Sequence, residues 1–443
     1  MKVLSIAALS VAMTVGVMNA QVDPGVRGGA AGAGGALPGL TAPVQTGAFN
    51  AAKTIFQEVN SVSGTIPGED SSGLGPSFNL NSCAGCHVQP AIGGSSPSVN
   101  PQIAVATLDG AHNAIPSFIS SNGPVREARF IRNANGTPDG GVHDLFVITG
   151  RSDAAGCNIA QTNFATQVAN NNVIFRIPTP VFGAGLIEMI ADSTITDNKA
   201  ANQSAKASVG ISGHENRSGN DGTITRFGWK AQNKSLAIFA GEAYNVEQGV
   251  TNELFPNPRE TIGGCAGVGH PNDNTFGEAG TGNSPGGDTL QFALFMRLLA
   301  PPTPVTSYGN VSAASIQNGH NLFNAIGCAL CHTETMTTNL SLISALSQKP
   351  VNLFSDLLVH HMGTGLADQV SQGNAAGDEF RTAPLWGLGQ RIFFLHDGRT
   401  KDLLQAIIAH ESPGSEADTV VDIFEFNLST SQRQDVLNFL RSL

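Results

Sequence analysis

The first apolar stretch is continuous: Val3 to Val17 follows Lys2 and gives way to Met18, Asn19 and Ala20. That is the pattern of a secretory signal peptide over 1–20, too short to span a bilayer, with cleavage expected after Ala20. Gly25 to Gly39, within 21–45, is a Gly and Ala tract with little side chain to bury, and it reads as a flexible tether. Helical spacing then appears in Phe49, Ala52, Phe56 and Val59, ahead of a Gly- and Ser-rich loop leading to Cys83. The same order returns in Ile316, Gly319, Phe323 and Ile326, whose helix runs straight into Cys328. Asp288 is placed to cap an apolar helix through Leu290, Leu294, Phe295 and Leu298, ended by Pro301, Pro302 and Pro304. A last helix carries Val436, Leu437, Leu440 and Leu443 on one stripe, with Ser429 or Ser431 as its cap and Gln432 or Gln434 three residues on.

These elements predict a mainly α chain with little β and long, loop-rich insertions, divided at the proline run into 46–300 and 301–443. A second repeat supports the division. Phe175-Arg176 followed by Pro180 to Gly185 resembles Phe380-Arg381 followed by Pro384 to Gly389, each downstream of its own Cys pair. With 443 residues, 41% of them hydrophobic, the chain can bury more than one core. Its formal charge of −11 and scattered basic residues exclude a nucleic-acid partner, and nothing after the signal is apolar enough to span a membrane. The expected location is periplasmic or secreted.

The sharpest chemistry lies in Cys83-Ala84-Gly85-Cys86-His87 and Cys328-Ala329-Leu330-Cys331-His332. Two thiols three positions apart can add across the two vinyl groups of one haem, and the adjacent His then meets the iron. Two covalently bound haem c groups are the cofactors this predicts. A structural zinc site needs a second ligand pair nearby, which neither motif has, and a thioredoxin-like pair needs an α/β context that is absent. In cytochrome c folds a Gly and an aromatic on the first helix let the last helix cross closely; Gly319 and Phe323 look like that pair, and two cytochrome c-like domains are expected.

Cys157 and Cys265 remain. In an oxidising compartment they are expected to pair, closing a loop of roughly 108 residues worth about 4–5 kcal/mol before strain, the alternative being two buried thiols. For the sixth ligand of the second haem, Met362 and His396 stand as alternatives; His112 and His143 are weaker candidates for the first. Glu188, just past the first copy of the trailing motif, is the leading acid/base candidate above an open iron, and Glu127 its rival, although Arg126 and Arg129 beside Glu127 suit an ordinary ion pair.

Glu379 to Gly389, Phe394 to Arg399, and Ala406, Ile407 and His410 together resemble the dihaem oxidoreductase family, also labelled thiol oxidoreductase or peroxidase and related to bacterial dihaem cytochrome c peroxidases. Arg176 to Glu188 and Arg226 to Lys230 are similar to its other signatures. The resemblance implies haems facing one another across two cytochrome c-like domains. It further implies hydrogen peroxide reduction at the His87 haem, and electron entry at the His332 haem from a small cytochrome c or cupredoxin. A Trp relay between the haems would be Trp386 rather than Trp229, and the related peroxidases are often homodimers. Those peroxidases take a Met ligand from the segment matching Ala383 to Trp386; no Met stands there, which leaves Met362, His396 or no sixth ligand. The rival functions are a non-catalytic dihaem electron-transfer cytochrome and a dihaem oxidase acting on a protein or organic substrate.

Overall fold

The computed structural model describes residues 21–40, 43–69, 71–259, 265, 271–273 and 286–443. The signal peptide expected over 1–20 lies outside them. Among the described residues helix accounts for 32% and strand for 15%, with no barrel, so the fold is mainly α with small sheets.

The elements that position the site are, in chain order, helix α1 (Pro43–Gln57), strands β1 (Glu127–Phe130), β2 (Val142–His143) and β3 (Val173–Arg176), helices α2 (Ala184–Glu188), α3 (Leu236–Gln248), α4 (Asp288–Leu298) and α5 (Ala313–Ala325), strands β4 (Val359–His361) and β5 (Glu379–Arg381), and helix α6 (Thr430–Leu440). Strand β1 lies between β2 and β3, antiparallel to both, with Glu127 opposite Arg176 and Ala128 opposite Phe175. Strands β4 and β5 form an antiparallel pair with Val359 opposite Arg381.

Helices meet in two matching crossings. Phe49 and Phe56 of α1 bury their rings against Phe295 of α4, at 5.7 and 4.6 Å between centroids. Phe323 of α5 meets Phe439 of α6 at 5.4 Å. Gly319 is where α5 and α6 touch: a Cβ there would collide with the Asp435 carbonyl, so only Gly permits the approach. Ala52 takes the equivalent place on α1, four residues before Phe56, and is fully buried. Of the alternatives for the last cap, the structure selects Ser429, whose hydroxyl accepts from the Gln432 backbone while the Gln432 side chain accepts from the Ser429 N–H. Gly287, not Asp288, caps α4; the Asp288 carboxylate instead accepts from the Tyr244 hydroxyl at 2.9 Å.

The repeated trailing motif docks the same way twice. Gly183 and Gly387 both adopt left-handed φ, 63° and 75°, each opening a short helical turn. Gly185 and Gly389 then press on backbone carbonyls, Arg297 of α4 and Arg441 just past α6, where any Cβ would collide.

The expected tether does not hang free. Residues 21–40 lie along the surface of both halves: Leu37 N donates to Leu298 O at 2.8 Å, Thr303 N to Gly32 O at 3.0 Å, and Arg27 N to Gly389 O at 2.7 Å. Asp23 receives a two-pronged ion pair from the buried Arg441, at 2.6 and 2.8 Å. A Gly and Ala tract that buries few side chains can still be held by its backbone groups, and composition alone does not register that. Elsewhere, Cys157 and Cys265 are joined by a disulfide, most of the chain between 260 and 285 lying outside the described residues. No helix among the described residues is long and apolar enough to cross a membrane.

Candidate functional site: two Cys-Cys-His cavities

Each Cys motif closes on itself in the same way. His87 N donates to Cys83 O at 3.1 Å and His332 N to Cys328 O at 2.9 Å, so both thiols and the imidazole project from one tight turn. Each imidazole is then oriented by a backbone carbonyl: His87 Nδ1 donates to Gly94 O at 3.0 Å, and His332 Nδ1 to Phe354 O at 2.9 Å. With Nδ1 protonated, the lone pair of each ring lies on Nε2, and the Thr179 backbone also lies against the His87 ring. Burial pushes both imidazoles down to about 4, and pushes the Cys83 and Cys328 thiols up to about 12. A neutral imidazole beside two thiols is the set of side chains a haem with two vinyl groups requires. Among the described residues, no cluster of three or more His, Cys, Asp or Glu side chains is placed to hold a bare metal ion.

Each set opens into its own cavity. The one at His332, about 230 Å³, has walls from Phe323, Leu385, Phe394, Ile407 and Phe424, and also carries Met362, His396 and His410. His396 stacks on Phe380 at 4.2 Å, and its pKa falls to about 4 through burial. His410 Nδ1 donates to Ala406 O at 2.7 Å, the arrangement seen at His87 and His332, and burial lowers its pKa as well. Sequence reasoning quoted His410 within a motif but did not consider it as a ligand. His360 shares this wall, held between Asp356 at 3.0 Å and Glu416 at 2.8 Å. Burial works against its charge, yet Cys331, whose Sγ lies 3.7 Å from its Nδ1, and then Asp356 outweigh that, and its pKa is raised well above the ordinary value.

The His87 cavity, about 140 Å³, differs in kind. Its walls carry Glu127, Arg129, Gln232, Glu242 and Glu247 and, among the described residues, no His other than His87. Met296 lines it too, one turn from Phe292, whose ring meets Phe56 beside His87. Glu127 is ion-paired with Arg129 on the same strand. Glu247 of α3 is half-buried, and desolvation first, then the charges of Glu127 and Asp144, push its carboxyl up to about 8. Glu242 and Glu247 were missed from sequence because they reach this cavity from a helix more than a hundred residues downstream, on a face whose pattern looks like ordinary solvated helix.

Two sequence expectations are corrected here. Glu188 lines neither cavity: Arg297 holds both its oxygens, at 2.6 and 3.1 Å, and the Leu236 N–H donates to it at 2.8 Å. Position in a repeat located it near the motif, but α2 turns its side chain toward α4. Trp386 also lines neither cavity and packs over Gly183 instead, whereas Trp229 lines both. His143 is engaged by Asp139 at 2.9 Å, and neither it nor His112 reaches the first cavity.

Two oriented Cys-Cys-His sets, each opening on its own cavity, define a protein built for two haems. The chain belongs to the family described as "Di-haem oxidoreductase, putative peroxidase", which matches residues 129–443; the Cys83 to His87 motif lies ahead of the matched span. No curated protein matches the chain. Among solved structures it is similar to a hydrazine synthase of Kuenenia stuttgartiensis, at 17% identity over 35% of this chain and 55% of that one, TM-score 0.24. It is also similar to a MauG-like protein associated with microbial copper homeostasis, at 14% identity over 60% of this chain and 90% of that one, TM-score 0.29. Likenesses this distant carry no argument about the chemistry.

Proposed function

We propose that the chain is an exported dihaem c-type oxidoreductase that reduces hydrogen peroxide at the haem on Cys83, Cys86 and His87. Electrons enter at the haem on Cys328, Cys331 and His332, supplied by a small cytochrome c or cupredoxin. In this reading 46–300 and 301–443 are two cytochrome c-like units, both haems are thioether-linked, and Met362, His396 and His410 are the further side chains available to hold the second haem. A haem held by Cys83, Cys86 and His87 would supply the redox chemistry by which peroxide takes up two electrons and two protons to give two waters.

The observation that carries the reading is the contrast between the cavity walls. Around His87 the described residues offer carboxylates and no second imidazole, which would suit a reacting haem with proton-moving groups beside it. Around His332 they offer the Met362 thioether and, besides the ion-paired His360, the imidazoles of His396 and His410, which would suit an electron-carrying haem. Glu127, held by Arg129, is positioned to take a proton from the entering peroxide. Glu247, whose raised pKa keeps it protonated at neutral pH, is the reservoir from which a proton is returned. Trp229, on the wall of both cavities with its Nε1 fixed to Ile177 O at 2.9 Å, is the group through which electrons pass between them.

The test is the absorption and paramagnetic resonance spectrum of the oxidised and half-reduced protein, before and after one equivalent of peroxide. One high-spin haem that reacts within seconds is expected. Two low-spin haems indifferent to peroxide in both redox states would make this an electron-transfer cytochrome.

A further inference from the structure

Buried arginines in this protein nearly always meet a carboxylate. Arg129 pairs with Glu127, Arg151 with Glu69, Asp109 and Asp153, Arg176 with Asp368, Arg226 with Asp192 and Arg441 with Asp23. Arg27 and Arg391 are the exceptions among the described residues, and Arg27 lines neither haem cavity.

Arg391 is 8% exposed and lines the His332 cavity. Its Nε donates to Phe393 O at 3.0 Å, while its Nη2 is buried with no hydrogen-bond partner. Arg381, half-buried on the same wall, donates from Nε to Gly228 O at 3.1 Å and has no carboxylate partner among the described residues. The charge felt most by Arg381 is that of Arg391 itself. Burial pushes both guanidinium groups down to about 10, and for Arg381 the neighbouring guanidinium adds to the effect. A buried and a half-buried cation that repel each other, with no carboxylate partner among the described residues, carry a desolvation penalty that an incoming negative charge offsets.

We infer that Arg381 and Arg391 form a built dicarboxylate site whose ligand is the pair of propionate groups of the haem held by His332. The inference rests on the haem reading of that cavity. The haem vinyl groups, which the thiols would take, and the propionates lie on opposite edges of the macrocycle. The two walls of the cavity are correspondingly distinct: Cys328 packs with Phe323, Phe394 and Phe424, whereas Trp229 belongs to a separate cluster with Ile177, Phe380 and Phe393. Both arginines are on the Trp229 side. Arg381 N donates to Trp229 O at 2.8 Å, and the Arg391 guanidinium lies 5.7 Å from the Trp229 ring. Propionates held there bring the charged edge of the haem to the residue shared by the two cavities. Neutralising them with fixed cations also favours the reduced iron, which is what an electron-entry haem needs.

The experiment is a spectroelectrochemical titration of the dihaem protein, with haem counted in each preparation, comparing wild type with Arg381→Gln, Arg391→Gln, the double variant and Arg391→Lys. Each Gln variant should keep two haems and lower the midpoint potential of one of them, the double variant more than either, while Arg391→Lys retains most of the wild-type potential because it keeps the charge. If the Gln variants fail to fold, Arg391→Lys carries the test alone: without the rigid fork, the potential of that haem should become more dependent on pH than in wild type. Two-haem variants with both potentials and their pH dependence unchanged would overturn this inference and leave the proposed function standing; a protein without haem would overturn both. Titrating wild type with inorganic phosphate separates the remaining source. No response supports the propionates, whereas a saturable spectral shift abolished in the Gln variants would assign the arginines to an exogenous anion and overturn the inference.

Discussion

Arg176 and Arg381 occupy matching places in the repeated Phe-Arg segment, each ending a strand and each on the wall of a Cys-Cys-His cavity. Arg176 donates to Asp368 at 2.7 Å, and the same carboxylate meets Lys230 at 3.2 Å. Arg381 has no such partner among the described residues. Asp368 comes from the second half of the chain, so the later unit supplies the anion that the earlier unit's arginine requires and none to its own. One motif, kept twice, can therefore be a structural ion pair in one half and a ligand-facing charge in the other. Local sequence is the same in both; the difference arises from what the rest of the chain brings near.

The sharpest way to break that contrast is Asp368→Asn, which turns Arg176 and Lys230 into buried, uncompensated cations. A destabilisation of about 3–5 kcal/mol is expected in a denaturant titration of the holoprotein. Asp368 is pushed up by burial, but Arg176 and Lys230 hold it below the ordinary carboxylate value. Its stabilisation is therefore fully present above that ordinary value and is lost as pH falls through the lower folded one. An unchanged midpoint would mean that the arginines of the two halves are energetically alike.

Next in size is the difference between the cavities as proton handlers. Glu127→Gln should lower peroxide turnover by about a hundredfold while both haems remain bound. If turnover survives, the carboxylates around His87 are structural and the two cavities differ only in polarity.

A smaller effect is expected at Glu247. Its folded pKa of about 8 lies above the ordinary carboxylate value, so its favourable contribution is fully present below that ordinary value and lost as pH rises through about 8. Glu127, Asp144 and Arg129 are the charges that face it. Peroxide turnover should decline over the same interval, and Glu247→Gln should remove that alkaline limb and cost about tenfold at neutral pH. An identical pH profile in the variant would exclude Glu247 as the proton reservoir.

Much of this was readable in the sequence where chemistry is local. The two Cys-Cys-His sets, the Ser429 cap, the close approach at Gly319 and the paired glycines after each Phe-Arg depend on residues within one turn or one motif, and their spacing states their geometry. Residues 21–40 defeated that reading because their anchors are backbone groups and Asp23, which composition treats as tether. Trp229 and Glu247 defeated it for another reason: each belongs to a cavity formed by segments far apart in the chain. A repeat places a residue along the sequence; it does not say which way the side chain turns.

Glu188 is the case in point, and the mildest of the predictions. By repeat position it stood closest to the chemistry, yet both its oxygens are taken by Arg297 and one accepts from the N-terminus of α3. The pair is only partly shielded, Arg297 being 31% and Glu188 15% exposed, so its worth is discounted for solvent screening to about 0.5–1 kcal/mol. Glu188→Gln should thus shift the unfolding midpoint slightly, by loosening α2, α3 and α4 from one another, and leave turnover within about twofold of wild type. A loss comparable to that of Glu127→Gln would mean that the proton path leaves the His87 cavity along α2, and the contrast between a catalytic and a structural carboxylate in the first half would collapse.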